Sequence, residues 1–127
     1  MVENVAQAVE EIRALLPGAT VTAHEDGEGG AHVIVDAVDL GQPYVQQQTW
    51  VGFHITRMYP YADVYPHFVR GDLQRTDGQP LGEGTSPNVF LGRPAIQLSR
   101  RSNRLNPLTD TAALKLQKVL LWLRERR

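Results

Sequence analysis

Val2, Val5, Ala6, Val9, Ile12 and Leu16 recur at three- and four-residue intervals, while Glu3, Glu10, Glu11 and Arg13 fall between them. That period marks one apolar helix face and predicts a helix over Val2–Leu16, which Pro17-Gly18 stops. Thr20 to His24 alternates as a strand. Asp26-Gly27-Glu28-Gly29-Gly30 reads as a hairpin turn, because glycine supplies the positive φ angles of tight turns. His32 to Val38 returns as the second strand, with Val33, Val35 and Ala37 on one face. Gly41-Gln42-Pro43 marks a loop. Trp50 to Met58 is the strongest strand pattern, alternating Trp50, Gly52, His54 and Thr56 with Val51, Phe53 and Ile55 until Tyr59-Pro60. A fourth strand is predicted from about Tyr65 to Leu73. Asp77 to Asn88, rich in glycine and proline, is predicted to be an irregular loop, and long loops are often functional.

The last periodic segment is a helix over Pro107–Arg126. Asn106 is its predicted N-cap, Pro107 fits the first position, and Leu108, Ala112, Leu116, Val119, Leu120 and Leu123 form its apolar stripe. Lys118, Arg124, Arg126 and Arg127 gather toward its carboxyl end, where cations suit the helix dipole. The order is helix, four-strand meander, irregular segment, helix. Layer logic makes this an α+β fold with helices on one face of an antiparallel sheet. A length of 127 residues suits one domain over 1–127.

Composition narrows the chemistry. There is no cysteine, which excludes disulfides, thiolate metal sites and any thioester-forming nucleophile in this chain. No apolar run approaches the roughly 20 residues that span a bilayer, so no membrane partner is expected. Met1-Val2-Glu3-Asn4 lacks the basic start of a secretory signal, and the reading is cytoplasmic. The net charge of −1 conceals a polarity: residues 1–40 hold eight acids and a single base, Arg13, whereas Gly84 to Thr109 holds no acid and four arginines, Arg93, Arg100, Arg101 and Arg104. Such a segment can face an acidic partner. The arginines are not interleaved with stacking aromatics, so no nucleic-acid partner is expected.

Three motifs then fall in order. The strand Trp50–Met58 leads into Tyr59-Pro60 and Tyr65-Pro66-His67-Phe68; Ser86-Pro87-Asn88-Val89 follows; and Gly92-Arg93-Pro94-Ala95-Ile96-Gln97-Leu98 comes next. They resemble, respectively, the Tyr-Pro-x-x-Pro-Pro connection, the His-Pro-Asn motif and the Gly-x-Ile-Cys-Leu segment of the ubiquitin-conjugating enzyme superfamily, including its bacterial members. Leu105-Asn106-Pro107 stands for that family's Trp-Ser-Pro, with Pro107 ten positions after Gln97. The resemblance implies a ubiquitin-conjugating-enzyme-like fold over the whole chain. It also implies a ubiquitin-like protein and an adenylating activating enzyme as partners, and calls for no cofactor. The departures are Gln97 at the cysteine position, Ser86 for histidine, a longer Tyr-Pro connection and one carboxyl-terminal helix where typical members have more.

Two readings follow from the resemblance. In the first, Ser99 accepts the modifier as an oxyester and passes it on. Ser99 lies two residues after Gln97, so in extended backbone it faces the same way; Ser102 is the second choice. A serine needs a base, and His54, His67, Asp72 and Asp77 are the candidates. Asn88, at the family's Asn position, would stabilise an oxyanion through its amide, assisted by Arg100 and Arg101. In the second reading the chain is a non-catalytic adaptor, with Tyr59, Tyr61, Tyr65, Phe68, Arg100, Arg101 and Arg104 as contact residues. A third class, metal-assisted hydrolysis, has only His24 and His32 flanking the glycine hairpin. Two ligands fall short of a zinc site, and no metal is expected.

Overall fold

Alternating β-branched and aromatic positions in the middle of the chain pair into one antiparallel sheet, and the two periodic segments at its ends become helices. The computed structural model describes residues 1–126. Its elements are α1 (Glu3–Leu15), β1 (Thr20–Glu25), β2 (Ala31–Asp39), β3 (Gln48–Ile55), β4 (His67–Arg70), β5 (Thr85–Phe90), β6 (Arg93–Leu98) and α2 (Ala112–Arg124). Arg127, counted above among the terminal cations, lies outside the described residues. The fold is α+β, as the layer logic requires.

The strand order is β1-β2-β3-β4-β6-β5, every neighbour antiparallel. The first four strands form the predicted meander. The sheet nevertheless has six strands rather than four. The segment predicted as irregular crosses to the far edge and enters as β5, then turns at Leu91-Gly92 so that β6 fills the place between β5 and β4. Both turn residues have positive φ, 48° and 79°, as a tight two-residue hairpin demands. Pro87 reads as a strand breaker, but on the edge strand a missing N–H is tolerated.

One face of the sheet carries the main core. Val33, Val35, Val51, Phe53, Ile55, Val69, Ile96 and Leu98 meet Val5, Val9 and Ile12 of α1 and Leu116, Leu120 and Leu123 of α2 in a single apolar cluster. The opposite face holds a smaller cluster of Ile34, Phe90 and Ala95, flanked by Trp50 and Phe68. Phe90 lies over Gly52: a Cβ there would sit 2.5 Å from the Phe90 ring. The β5–β6 hairpin therefore curls across this second face.

The final helix starts later than predicted. Asn106 does fold back on itself, its Oδ1 accepting from the Leu108 N–H at 3.0 Å, while Asp110 Oδ2 accepts from the Asn106 N–H at 2.8 Å. That turn does not propagate, because Thr111 is extended (φ −110°, ψ 161°) and becomes the N-cap, its side chain accepting from the Leu114 N–H at 3.1 Å. Leu108, assigned above to the apolar stripe, is 91% exposed as a result. Both ends of α2 are tied to the meander by tyrosines. Tyr59 Oη accepts from the Ala112 N–H at 3.0 Å, and Tyr44 Oη donates to the Leu123 carbonyl at 2.7 Å. No helix among the described residues is long and apolar enough to cross a membrane.

Candidate functional site

Register brings the motif residues together. Across the second face runs the row Ile34, Gly52, Phe68, Gln97 and Ser86, one residue from each of β2, β3, β4, β6 and β5. Gln97 thus sits directly between Phe68 and Ser86. Asn88 is two residues along β5 on the same face, and its Nδ2 donates to Gln97 Oε1 at 2.6 Å. Gln97 Nε2 in turn donates to Ser99 Oγ at 3.2 Å. The predicted common facing of residues 97 and 99 is therefore found. The Gln97 amide acts as the middle link of an Asn88–Gln97–Ser99 chain of side-chain hydrogen bonds. Asn88 Oδ1 is also taken, by the Val89 N–H at 2.7 Å.

The four base candidates are occupied or placed elsewhere. His54 Nε2 is 2.7 Å from Asp26 Oδ2, and this bond is the leading cause that lowers the Asp26 carboxyl to about 2. Asp72 is bound by Arg70 and Asp77 by Arg75, and in each pair the hydrogen bond holds the carboxyl below its usual range. His67 pairs with Leu98 and Phe53 in the row that faces the main core, across the sheet from Gln97. It is fully buried, and both ring nitrogens lack a hydrogen-bond partner.

Tyr65 is the neighbour of Ser99 that the motifs did not single out as such. The Ser99 side chain first, and Arg101 next, lower its phenol pKa, and the Arg101 guanidinium lies 4.3 Å from the centre of its ring. Tyr59, by contrast, is only 9% exposed and serves α2 through Ala112, so its expected role as a contact residue is corrected. Tyr61 remains exposed and Phe68 is half-buried in the second-face cluster.

The four arginines of the acid-free segment are all exposed, but they do not form one patch. Arg93, at the start of β6, lies over Trp50 at 5.3 Å. Arg100, Arg101 and Arg104 follow the other end of that six-residue strand, roughly 20 Å away at ~3.3 Å per residue. Arg100 lies over Trp122 at 5.0 Å. Beneath this segment is a half-buried network that the sequence did not reveal. Asp63 accepts from the Ser102 N–H (2.7 Å), Ser102 Oγ (2.8 Å) and Lys115 Nζ (3.0 Å), and Lys115 Nζ also donates to Ser102 Oγ at 2.8 Å. Ser102, the second-choice nucleophile, is thus a tether. Burial opposes the Asp63 charge, but its bonds to Ser102 and Lys115 outweigh that and leave its pKa lowered. The signal available was Lys115 itself, a cation placed on the flank of an apolar stripe.

His24 and His32 are cross-strand partners, and His54 extends the row onto β3. The His32 and His54 rings stack at 4.1 Å with 13° between planes, so their lone pairs run alongside rather than converge. Among the described residues no group of three or more His, Asp or Glu is arranged to hold a metal ion.

Fold and site together define a small α+β domain with two helices on one face of a six-stranded antiparallel sheet and a chain of polar side chains on the other. No family model, no curated protein and no solved structure matches it.

Proposed function

We propose that this chain is a binding component of a bacterial, cytoplasmic ubiquitin-like conjugation pathway. On this reading it is a ubiquitin-conjugating-enzyme-like adaptor that docks a ubiquitin-like protein or its adenylating activating enzyme without forming a covalent bond to it. Support comes from the order of the resembling motifs and from their convergence, since Ser86, Asn88, Gln97 and Ser99 meet on one face. One observation carries the non-covalent form. The residue at the nucleophile position, Gln97, spends its amide tying Asn88 to Ser99, and none of His54, His67, Asp72 and Asp77 is free beside the Ser99 hydroxyl. A serine without a base is a weak nucleophile. Tyr65, Arg101 and Arg104 would form the contact surface.

A second reading rests on Tyr65. Its hydroxyl, whose pKa Ser99 and Arg101 lower, would act as the phenolate and take the Ser99 proton while Oγ bonds to the acyl carbon and the activating enzyme's leaving group departs with its electron pair. The test is incubation of the full chain with the matching activating enzyme, ATP and ubiquitin-like protein, followed by gel shift and mass mapping. The adaptor reading expects saturable binding and no adduct. A hydroxide-labile, thiol-resistant adduct that Ser99→Ala abolishes replaces it with the oxyester reading. Neither binding nor adduct overturns both.

A further inference from the structure

We infer that the cleft between residues 100–104 and α2 is a binding site for a compact multivalent phosphate anion. It encloses about 460 Å³ and is lined by Arg100, Arg101, Arg104, Lys115 and Lys118, with Asp110 as its one carboxylate. Lys115 is neutralised by Asp63. The other four cations form no ion pair among the described residues, while Asp110, although it accepts from the Asn106 N–H, stays anionic and offsets one of their charges. Four like charges gathered in one concavity repel one another, and an anion relieves that.

The cations are held for this task. Asp63 pins the middle of the segment through both the N–H and the hydroxyl of Ser102, which fixes where Arg100, Arg101 and Arg104 depart. The Arg100 and Arg101 guanidinium groups lie over the Trp122 and Tyr65 rings, at 5.0 and 4.3 Å, and these contacts help to hold them in place. Lys115 and Lys118, three residues apart, project from the same side of α2, whose first turn holds no acid. Preorganised donors lose less freedom on binding.

Charge density selects the ligand. A phosphate group brings about two negative charges and three acceptor oxygens in one tetrahedron. Carboxylates on an extended peptide arrive at best one per ~3.3 Å of chain. The rings beside the cleft already carry guanidinium groups, with Arg126 also 4.3 Å from Trp122, so a nucleobase finds no free stacking platform. Recognition is of the phosphates alone. This site stands whether or not the conjugation reading does.

Titration calorimetry of the full chain with tripolyphosphate at low salt tests it. One site is expected, at least tenfold weaker in Arg104→Gln/Lys118→Gln, both exposed positions, and within twofold of wild type in Arg93→Gln. ATP should bind no tighter than tripolyphosphate, and hexaglutamate at least tenfold more weakly. Vesicles carrying an inositol-bisphosphate headgroup separate the sources of such an anion. Capture that the double variant loses assigns it to a lipid; no capture beside intact tripolyphosphate binding assigns it to a soluble phosphate. The inference is overturned by no binding at millimolar tripolyphosphate, by equal weakening in Arg93→Gln, by hexaglutamate matching tripolyphosphate, or by ATP exceeding it.

Discussion

His67 illustrates how a single residue can carry the pH response of the whole fold. Its imidazole is fully buried against Phe53, and burial, followed by the nearby Lys115 charge, pushes its pKa from 6.5 down to about 3. The folded state therefore keeps it neutral while the unfolded chain protonates it below pH 6.5. The unfolded state binds more protons throughout that window, so stability is full above pH 6.5 and falls as pH drops toward 3. At ~1.4 kcal/mol per unit the loss reaches roughly 4–5 kcal/mol at the acid end. Asp26, held near 2, acts only below its unfolded value of 3.8, so the range from pH 4 to 6.5 belongs to histidine. His32, also lowered by burial, adds in the same direction. His67→Leu removes two unpartnered buried nitrogens and the proton-binding group together. Urea unfolding at pH 7, 5.5 and 4.5 should show a variant at least as stable as wild type at pH 7, with a flatter decline. An equal decline in both proteins would place the titrating group elsewhere.

Among the elements, the β5–β6 hairpin separates what the sequence makes legible from what only packing decides. Helix α1 was readable because its apolar period is local, and the β1–β4 meander because alternation and glycine turns are local too. The start of α2 was not, since Asn106 and Thr111 are both good caps and the extended backbone at Thr111 decides between them. Pro87 disguised β5 as the end of a loop; its tolerance depends on edge position, a property of the assembled sheet. The shared facing of Gln97 and Ser99 was legible from the two-residue period. The absence of a free base beside Ser99 was not, because it turns on which face of β4 presents His67 and on distant pairs such as His54 with Asp26. The hairpin's seat on the sheet gives a direct test. A methyl at Gly52 would meet the Phe90 ring at 2.5 Å, so Gly52→Ala should cost about 1–3 kcal/mol as an overpacked site. Adding Phe90→Leu should recover part of that loss in a double-mutant cycle. If Gly52→Ala melts like wild type, Phe90 does not cover that position.

At the scale of the whole molecule, the charge polarity of the sequence becomes a polarity in space. The acid-rich residues 1–40 supply α1 and the β1–β2 edge of the sheet, whereas the acid-free segment supplies β5, β6 and residues 100–104 at the other side. A field of this kind orients an approaching partner before any contact forms, and acts on the association rate more than on the lifetime of the complex. Arg101→Glu/Arg104→Glu should therefore slow association of the proposed ubiquitin-like partner about tenfold, with a smaller change in dissociation. Arg93→Glu, at the far end of β6, should have a weaker effect because it lies roughly two Debye lengths from the segment at ~0.15 M ionic strength. Wild-type association should slow as salt rises from about 0.05 to 0.5 M, whereas the double reversal should lose most of that dependence. Stopped-flow fluorescence separates the two rates. A wild-type rate indifferent to salt, together with an unchanged rate in the double reversal, would leave these arginines as a solvated face and shift the docking surface to Tyr65 and the polar chain beside it.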